Sequence, residues 1–150
     1  MITIRPTESL DVDDIERIEE ASFSAPFSKD MFYGMLEGRP FGGFSAIEGQ
    51  NLVGYIFYSI AMDEMELITI AVDQSFRRRG VAQKLIKAML GVAALNDVKK
   101  IFLEVRVSNE AAQSLYKSFG FSDISVRPKY YKDNNEDAIV MIKTMEEYLM

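Results

Sequence analysis

The chain has 150 residues, 48% of them apolar, enough for one domain over residues 1–150 to bury its own core. It contains no cysteine and no histidine; this excludes disulfides, thiolate metal sites, a cysteine acyl-enzyme and a serine–histidine–aspartate hydrolase, gives no reason to expect a metal, and leaves Asp, Glu, Tyr or Lys to move protons. A net charge of −6 argues against direct nucleic-acid binding and suits a basic peptide or small cation as partner; with no apolar run near the ~20 residues of a membrane span and no signal-peptide layout, a cytoplasmic address off the membrane is expected.

In chain order, Ile2 to Arg5 alternates as a first strand. Asp11 to Phe23 has helical spacing at Val12, Ile15 and Ile18, with Asp11, Asp13 and Asp14 in the first turn, where acids complement the helix dipole. Ala25-Pro26-Phe27 breaks the pattern, and Ser28 is placed to cap a second helix from Lys29 to about Glu37. Gly42 to Ile47, Leu52 to Ile60 and Met65 to Val72 are β-branched and aromatic, joined by turn segments, and predict an antiparallel meander. Gly80 to Leu95 turns helical, with Val81, Leu85, Met89 and Val92 near one face. A strand at Ile101 to Val107 and a helix at Glu110 to Phe119 follow, and Gly120 occupies a left-handed C-cap position. Phe121 to Val126 and Ala138 to Lys143 supply two last strands. This order predicts a mixed α/β sheet with a central β-α-β unit closed as a right-handed parallel crossover.

Two places in this layout carry chemistry. The first is the strand–loop–helix junction Ile70-Ala71-Val72-Asp73-Gln74-Ser75-Phe76-Arg77-Arg78-Arg79-Gly80-Val81-Ala82. Three arginines at a helix start oppose the dipole unless an anion sits there, and successive backbone amides in such a loop converge on phosphate oxygens. Gly80 lets the backbone approach and Ala82 keeps a side chain out of the way. A solvated basic turn, its arginines paired to surface carboxylates, is the plain alternative. The second is the strand Ile101 to Val107, where alternation puts Glu104 and Arg106 on one face. Either they form an ion pair, or Glu104 is a partly desolvated carboxylate whose pKa rises from about 4.3 toward that of a useful base. The other Asp and Glu residues fall mainly in turns or on exposed helix faces. Asn109 fits a helix N-cap, and Tyr116 is either core packing or a phenol able to give a proton.

Arg77, Gly80 and Ala82 match the acyl-CoA-binding signature of the GNAT acetyltransferase superfamily, which the junction resembles: Gln or Arg, two residues, Gly, one residue, then Gly or Ala. The stretch Leu103 to Phe121 closely resembles the corresponding region of RimI-type ribosomal-protein-alanine N-acetyltransferases; the likeness runs from about Met1 to Lys143 and is strongest over Ile70 to Phe121. The resemblance implies a GNAT fold, a mostly antiparallel seven-stranded sheet with about four helices and a central parallel crossover, with acetyl-CoA as co-substrate and no metal. It implies that the amides from Arg78 through Arg79, Gly80, Val81, Ala82 and Gln83 hold the pyrophosphate, that Ile70, Ala71 and Val72 pair with the pantetheine arm, and that Asn109 contacts the cofactor. Glu104 would accept the proton and Tyr116 donate one. Ala25-Pro26-Phe27-Ser28 and Arg127-Pro128-Lys129-Tyr130-Tyr131 resemble segments that frame a peptide N-terminus, although Phe27 stands where that group often has tryptophan and Pro128 is a departure. The implied acceptor is a protein N-terminal amine, by resemblance the alanine terminus of a small-subunit ribosomal protein. Alternatives are a polyamine, an antibiotic amine or a lysine as acceptor, a non-catalytic acyl-CoA-binding regulator and, more remotely, an aminoacyl-tRNA-modifying toxin.

Overall fold

The computed structural model describes residues 1–145. Strand β1 (Ile2–Pro6) is followed by helices α1 (Val12–Ser22) and α2 (Lys29–Met35), then strands β2 (Phe41–Glu48), β3 (Asn51–Ala61) and β4 (Glu64–Val72). Helix α3 (Val81–Leu95), β5 (Lys100–Arg106), α4 (Glu110–Ser118), β6 (Ser122–Tyr131) and β7 (Glu136–Thr144) follow among the described residues. All seven strands lie in one sheet ordered β1-β2-β3-β4-β5-β7-β6, antiparallel throughout except for β4 and β5. The mixed α/β architecture read from the sequence is therefore the one that forms.

Strand alternation distributes the apolar residues to two cores, one on each face. Val81, Leu85 and Met89 of α3 and Tyr116 of α4 pack with Ile56, Met65, Leu103, Val105 and Met141. On the other face Val12, Ile15 and Ile18 of α1 and Phe32 and Met35 of α2 pack with Tyr55, Phe57 and Ala71. Gly54 sets how closely α3 can approach β3 and β4. A Cβ there would meet the Ala71 carbonyl oxygen at 3.0 Å and Val81 Cγ1 at 3.2 Å, so any other residue would push the helix start outward.

Three local details differ from the sequence reading. Asp11 does not serve as a solvent-facing dipole acid. It is buried, and its carboxylate accepts two hydrogen bonds of 2.8 Å from the Arg5 guanidinium, one from the Glu8 amide at 2.8 Å and one from Ser45 Oγ at 3.1 Å. Nor are all remaining acids confined to turns and exposed helix faces, because Glu19 is also buried. Finally, β6 runs on past Val126 to Tyr131. Pro128 is tolerated because the ladder is irregular between Arg127 and Tyr131: Lys129 turns left-handed at φ +52° and its amide bonds to Asp137 Oδ1 at 2.9 Å instead of to a strand.

Asp11→Ala is expected to lower stability by about 3 kcal/mol, since it strands the Arg5 charge in a partly buried site. Burial pushes the Asp11 carboxyl up, but the hydrogen bonds from Arg5, the Glu8 amide and Ser45 outweigh it and hold the pKa below the ordinary value. The pair's contribution is thus present above the unfolded pKa of about 3.9 and disappears as pH falls through the folded value. Urea melts of the wild type and variant at pH 7 should differ widely, and the gap should close in acid.

The feature that matters most for function is where β4 and β5 part. They pair at Glu64↔Lys100, Met65↔Ile101 and Glu66↔Phe102 and no further. From there β4 follows β3 to Val72 and β5 follows β7 to Arg106. A bulge accompanies the parting: between Phe57 and Tyr58 the β3–β4 register shifts, opposite Thr69 and Leu67, and a bulge bends its strand. The edge of β4 from Leu67 to Val72 consequently faces a wedge-shaped gap in the sheet.

Candidate active site

At the open end of that gap, β4 runs into the loop leading to α3. Asp73 Oδ1 accepts the Ser75 amide at 2.9 Å and starts a 3-10 turn at Gln74–Phe76. Arg78 and Gly80 then both adopt positive φ, +66° and +77°. Left-handed residues in such a loop turn successive N–H groups to one side, and the non-glycine Arg78 bears strain to do so. The first helical bond of α3 runs from the Lys84 N–H to the Gly80 carbonyl at 3.2 Å, so the N–H groups of Val81, Ala82 and Gln83 precede it and have no acceptor within the helix. These amides, rather than three bare guanidinium groups, make the site electropositive. Arg79 is already paired with Glu48 at 2.6 Å and lies over the Phe76 ring at 5.0 Å, and Arg77 Nε donates to the Val72 carbonyl at 3.2 Å. Of the three arginines, Arg79 is thus neutralised by a carboxylate of the chain itself, which lessens the crowding inferred from the sequence.

Glu104 lies on β5 just beyond the point of parting. Leu103 and Val105 point to the α3–α4 core, so Glu104, Arg106 and Phe102 share the opposite face, over which the α1–α2 loop and the β6–β7 hairpin close. Glu104 and Arg106 are not partners. The Glu104 carboxylate accepts from Arg127 of β6 at 2.5 Å and is 20% exposed. Arg106 instead binds Asp133 at 3.0 Å and Glu136 at 3.3 Å. Its guanidinium also reaches Ser24 Oγ at 3.3 Å, and Ser24 donates to Asp133. Ser24 belongs to the α1–α2 loop and Asp133 to the hairpin tip, so Arg106 clasps the two loops together.

A second carboxylate, missed in the sequence, joins Glu104. Glu66 sits at the apex of the gap, and its pKa is raised by partial burial and by Glu104, against an opposing pull from Arg127. The hint was an acid between Met65 and Leu67 on an otherwise apolar strand.

The tyrosines stand on both sides of the gap. Tyr116 is buried in the α3–α4 core with its ring edge-on to Phe121 at 5.9 Å; burial, then the neighbouring Tyr131, push its hydroxyl pKa up. Glu104 and Tyr116 therefore lie on opposite faces of the sheet. Tyr131 lies between them electrically: burial raises it to about 12, with Arg106 lowering it and Glu104 raising it. Its ring carries the Arg106 guanidinium at 4.0 Å, while Tyr130 carries Arg127 at 4.6 Å. Phe27 is half-buried against Phe32, with ring centroids 6.2 Å apart. Asn109 caps α4, its Oδ1 accepting the Ala112 amide at 3.1 Å, so that oxygen is committed to the helix.

The arrangement offers unpaired amides at a helix start, an open strand edge, and a carboxylate and a buried phenol on opposite faces of the sheet. Comparison with known proteins places the chain in a family. Residues 12–121 match the model of the acetyltransferase (GNAT) family. A relative from Bacillus subtilis (strain 168), provisionally named a ribosomal protein bS18-alanine N-acetyltransferase, is 37% identical over 138 residues, covering 91% of each chain. The Escherichia coli (strain K12) ribosomal protein bS18-alanine N-acetyltransferase is 32% identical over 143 residues, covering 94% of this chain and 96% of its own. The crystal structure of the Escherichia coli ribosomal-protein-S18-alanine N-acetyltransferase superposes with a TM-score of 0.88 at 30% identity, over 100% of this chain and 99% of the other.

Proposed function

The chain belongs to the acetyltransferase (GNAT) family and is an acetyl-CoA-dependent N-acetyltransferase, and from that premise we propose that it acetylates the free α-amine of a protein N-terminus, with the alanine terminus of a small-subunit ribosomal protein as the leading acceptor. The acceptor class comes from relatives with that activity in their names. One observation carries the chemistry: the parting of β4 and β5 after Glu66 leaves a strand edge unpaired beside a helix start with unpaired amides.

The chain's own residues fit acetyl-CoA on both counts. The N–H groups of Val81, Ala82 and Gln83, with the loop from Arg78, would hold the pyrophosphate, and Arg77 and Arg79 border it. The edge Ile70–Ala71–Val72 would pair with the amides of the pantetheine arm as an added strand. The bound thioester supplies an activated acetyl carbonyl at the gap. On the loop-covered face, Glu104, directly or through a water, takes a proton from the acceptor ammonium, and the freed nitrogen lone pair attacks the carbonyl carbon. A backbone N–H on the Ile70–Val72 edge stabilises the oxyanion. As the C–S bond breaks, Tyr116 gives a proton or a hydrogen bond to the leaving sulfur, while the nitrogen sheds its second proton to solvent, from which the phenol recovers its own, leaving the neutral amide and the CoA thiol. Phe27, Tyr130 and Tyr131 line the acceptor side, which lies in the cytoplasm on this reading.

Tyr116→Phe should lower kcat by about 10²-fold while leaving acetyl-CoA affinity unchanged, because it removes only a proton donor. The reading as a whole is tested by following thiol release from acetyl-CoA with Ala-initiated peptides, polyamines and Nε-free lysine peptides. Turnover confined to α-amines supports it. Turnover only of polyamines or lysine side chains, or CoA binding with no thiol release under any acceptor, would replace it.

A further inference from the structure

Glu19, near the C-terminal end of α1, is a carboxylate that the proposed reaction does not use, and it is only 2% exposed. A buried ionised carboxylate is costly unless hydrogen bonds replace its hydration. Among the described residues, its hydrogen bonds come from uncharged donors. Oε1 accepts from Tyr55 Oη on β3 at 2.5 Å and from Thr69 Oγ1 on β4 at 3.0 Å. Oε2 accepts the backbone N–H of Phe27, in the α1–α2 loop, at 3.1 Å. One helical turn earlier, Glu16 Oε2 accepts the Lys29 N–H at 3.0 Å. The two glutamates grip the backbone on either side of Ser28, which caps α2. Glu16 ties that segment to α1 alone; Glu19 ties it to the sheet as well. The strand it reaches is β4, at the residue immediately before Ile70–Val72.

We infer that Glu19 is a positioning residue for the acceptor: its two oxygens hold the Phe27 loop at a fixed height above β4, keeping the amine site in register with the thioester site. This rests on the reading above that the Phe27 loop frames the acceptor. An apolar residue could fill the same volume under α1, but it would leave the Tyr55 and Thr69 hydroxyls and the Phe27 amide without their acceptor. Glutamine is a milder change. With its carbonyl toward Phe27, its amide faces two hydroxyls that are able to accept as well as donate.

The test uses the full chain, acetyl-CoA and a hexapeptide with a free N-terminal alanine. In the wild type, hydrogen exchange should find the Phe27 amide protected relative to its neighbours in the loop. Glu19→Met should abolish that protection and raise the acceptor KM about tenfold, with kcat and the acetyl-CoA KM nearly unchanged; Glu19→Gln should restore the acceptor KM to within about threefold of wild type. Asp11→Asn, which weakens another buried carboxylate remote from the loop, should lower the melting temperature without moving the acceptor KM. An unprotected Phe27 amide in the wild type overturns the inference even if Glu19→Met fails to fold. So does a Glu19→Met enzyme whose acceptor KM is unchanged, or whose kcat and both KM values move together. A wild type that binds acetyl-CoA but turns over no α-amine defeats the proposed function, and the acceptor role of Glu19 falls with it.

Discussion

Glu104→Gln is expected to cut kcat/KM for the acceptor by about 10²- to 10⁴-fold, the usual worth of a positioned general base. The side chain keeps its size and its place on β5, and acetyl-CoA affinity should not move, because Glu104 lies on the loop-covered face and the amide cradle lies at the start of α3. The pH dependence is a second readout. An acceptor ammonium must lose its proton before it can attack, so the residual rate of the variant should still climb with pH as more free amine is present. At neutral pH, where free amine is scarce, the deficit should be largest. The ion pair with Arg127 holds the carboxylate in place, and because Arg127 is exposed, losing the pair should loosen β6 only modestly. Near wild-type turnover across the pH range would transfer the role to another group, and Glu66 at the apex of the gap is the carboxylate best placed to take it.

The second large effect is expected at the cradle. Ala82→Asp should weaken CoA binding by about 10²-fold or more, since it places a carboxylate beside the phosphates at close range and low effective dielectric. The same substitution should leave folding intact. Ala82 lies in the first turn of α3, where a negative side chain complements the helix dipole, so thermal stability without ligand should hold or rise slightly. Calorimetric titration with CoA, paired with a melt of the free protein, separates the two. An unaltered CoA affinity would mean that the pyrophosphate is held elsewhere, and the family signature at Arg77, Gly80 and Ala82 would not be performing its expected task. The opposite responses of stability and binding make this variant more informative than removing an arginine, because Arg79 and Arg77 are engaged with Glu48 and the Val72 carbonyl, and their loss would disturb the loop as well.

Glu104, Glu66 and the clasp around Arg106 also show how charge is balanced on the face proposed to receive the acceptor. Four acids on the loop-covered face have a guanidinium nearby: Arg127 serves Glu104 and offsets Glu66, and Arg106 serves Asp133 and Glu136. Both guanidinium groups lie over tyrosine rings, so Tyr130 and Tyr131 are oriented by the same charges that hold the carboxylates.

What the sequence by itself determined was everything encoded at short range. Alternation along Met65 to Val72 and Ile101 to Val107, helical spacing at Val81, Leu85 and Met89, Ser28 and Asn109 as caps, and glycines at left-handed positions 80 and 120 each depend on neighbours within about one helical turn or two strand residues. The cradle was legible for that reason, being a contiguous strand–loop–helix segment. The site's side-chain partnerships were not, because they join residues far apart in the chain. Arg127 meets Glu104 only because β7 inserts between β5 and β6; Glu66 stands beside Glu104 only because β4 and β5 are adjacent; Glu19 finds Thr69 only because α1 lies across β4. Sheet order leaves no local periodic signal, so tertiary structure alone decided which charges are paired, which acids are buried, and where the gap opens.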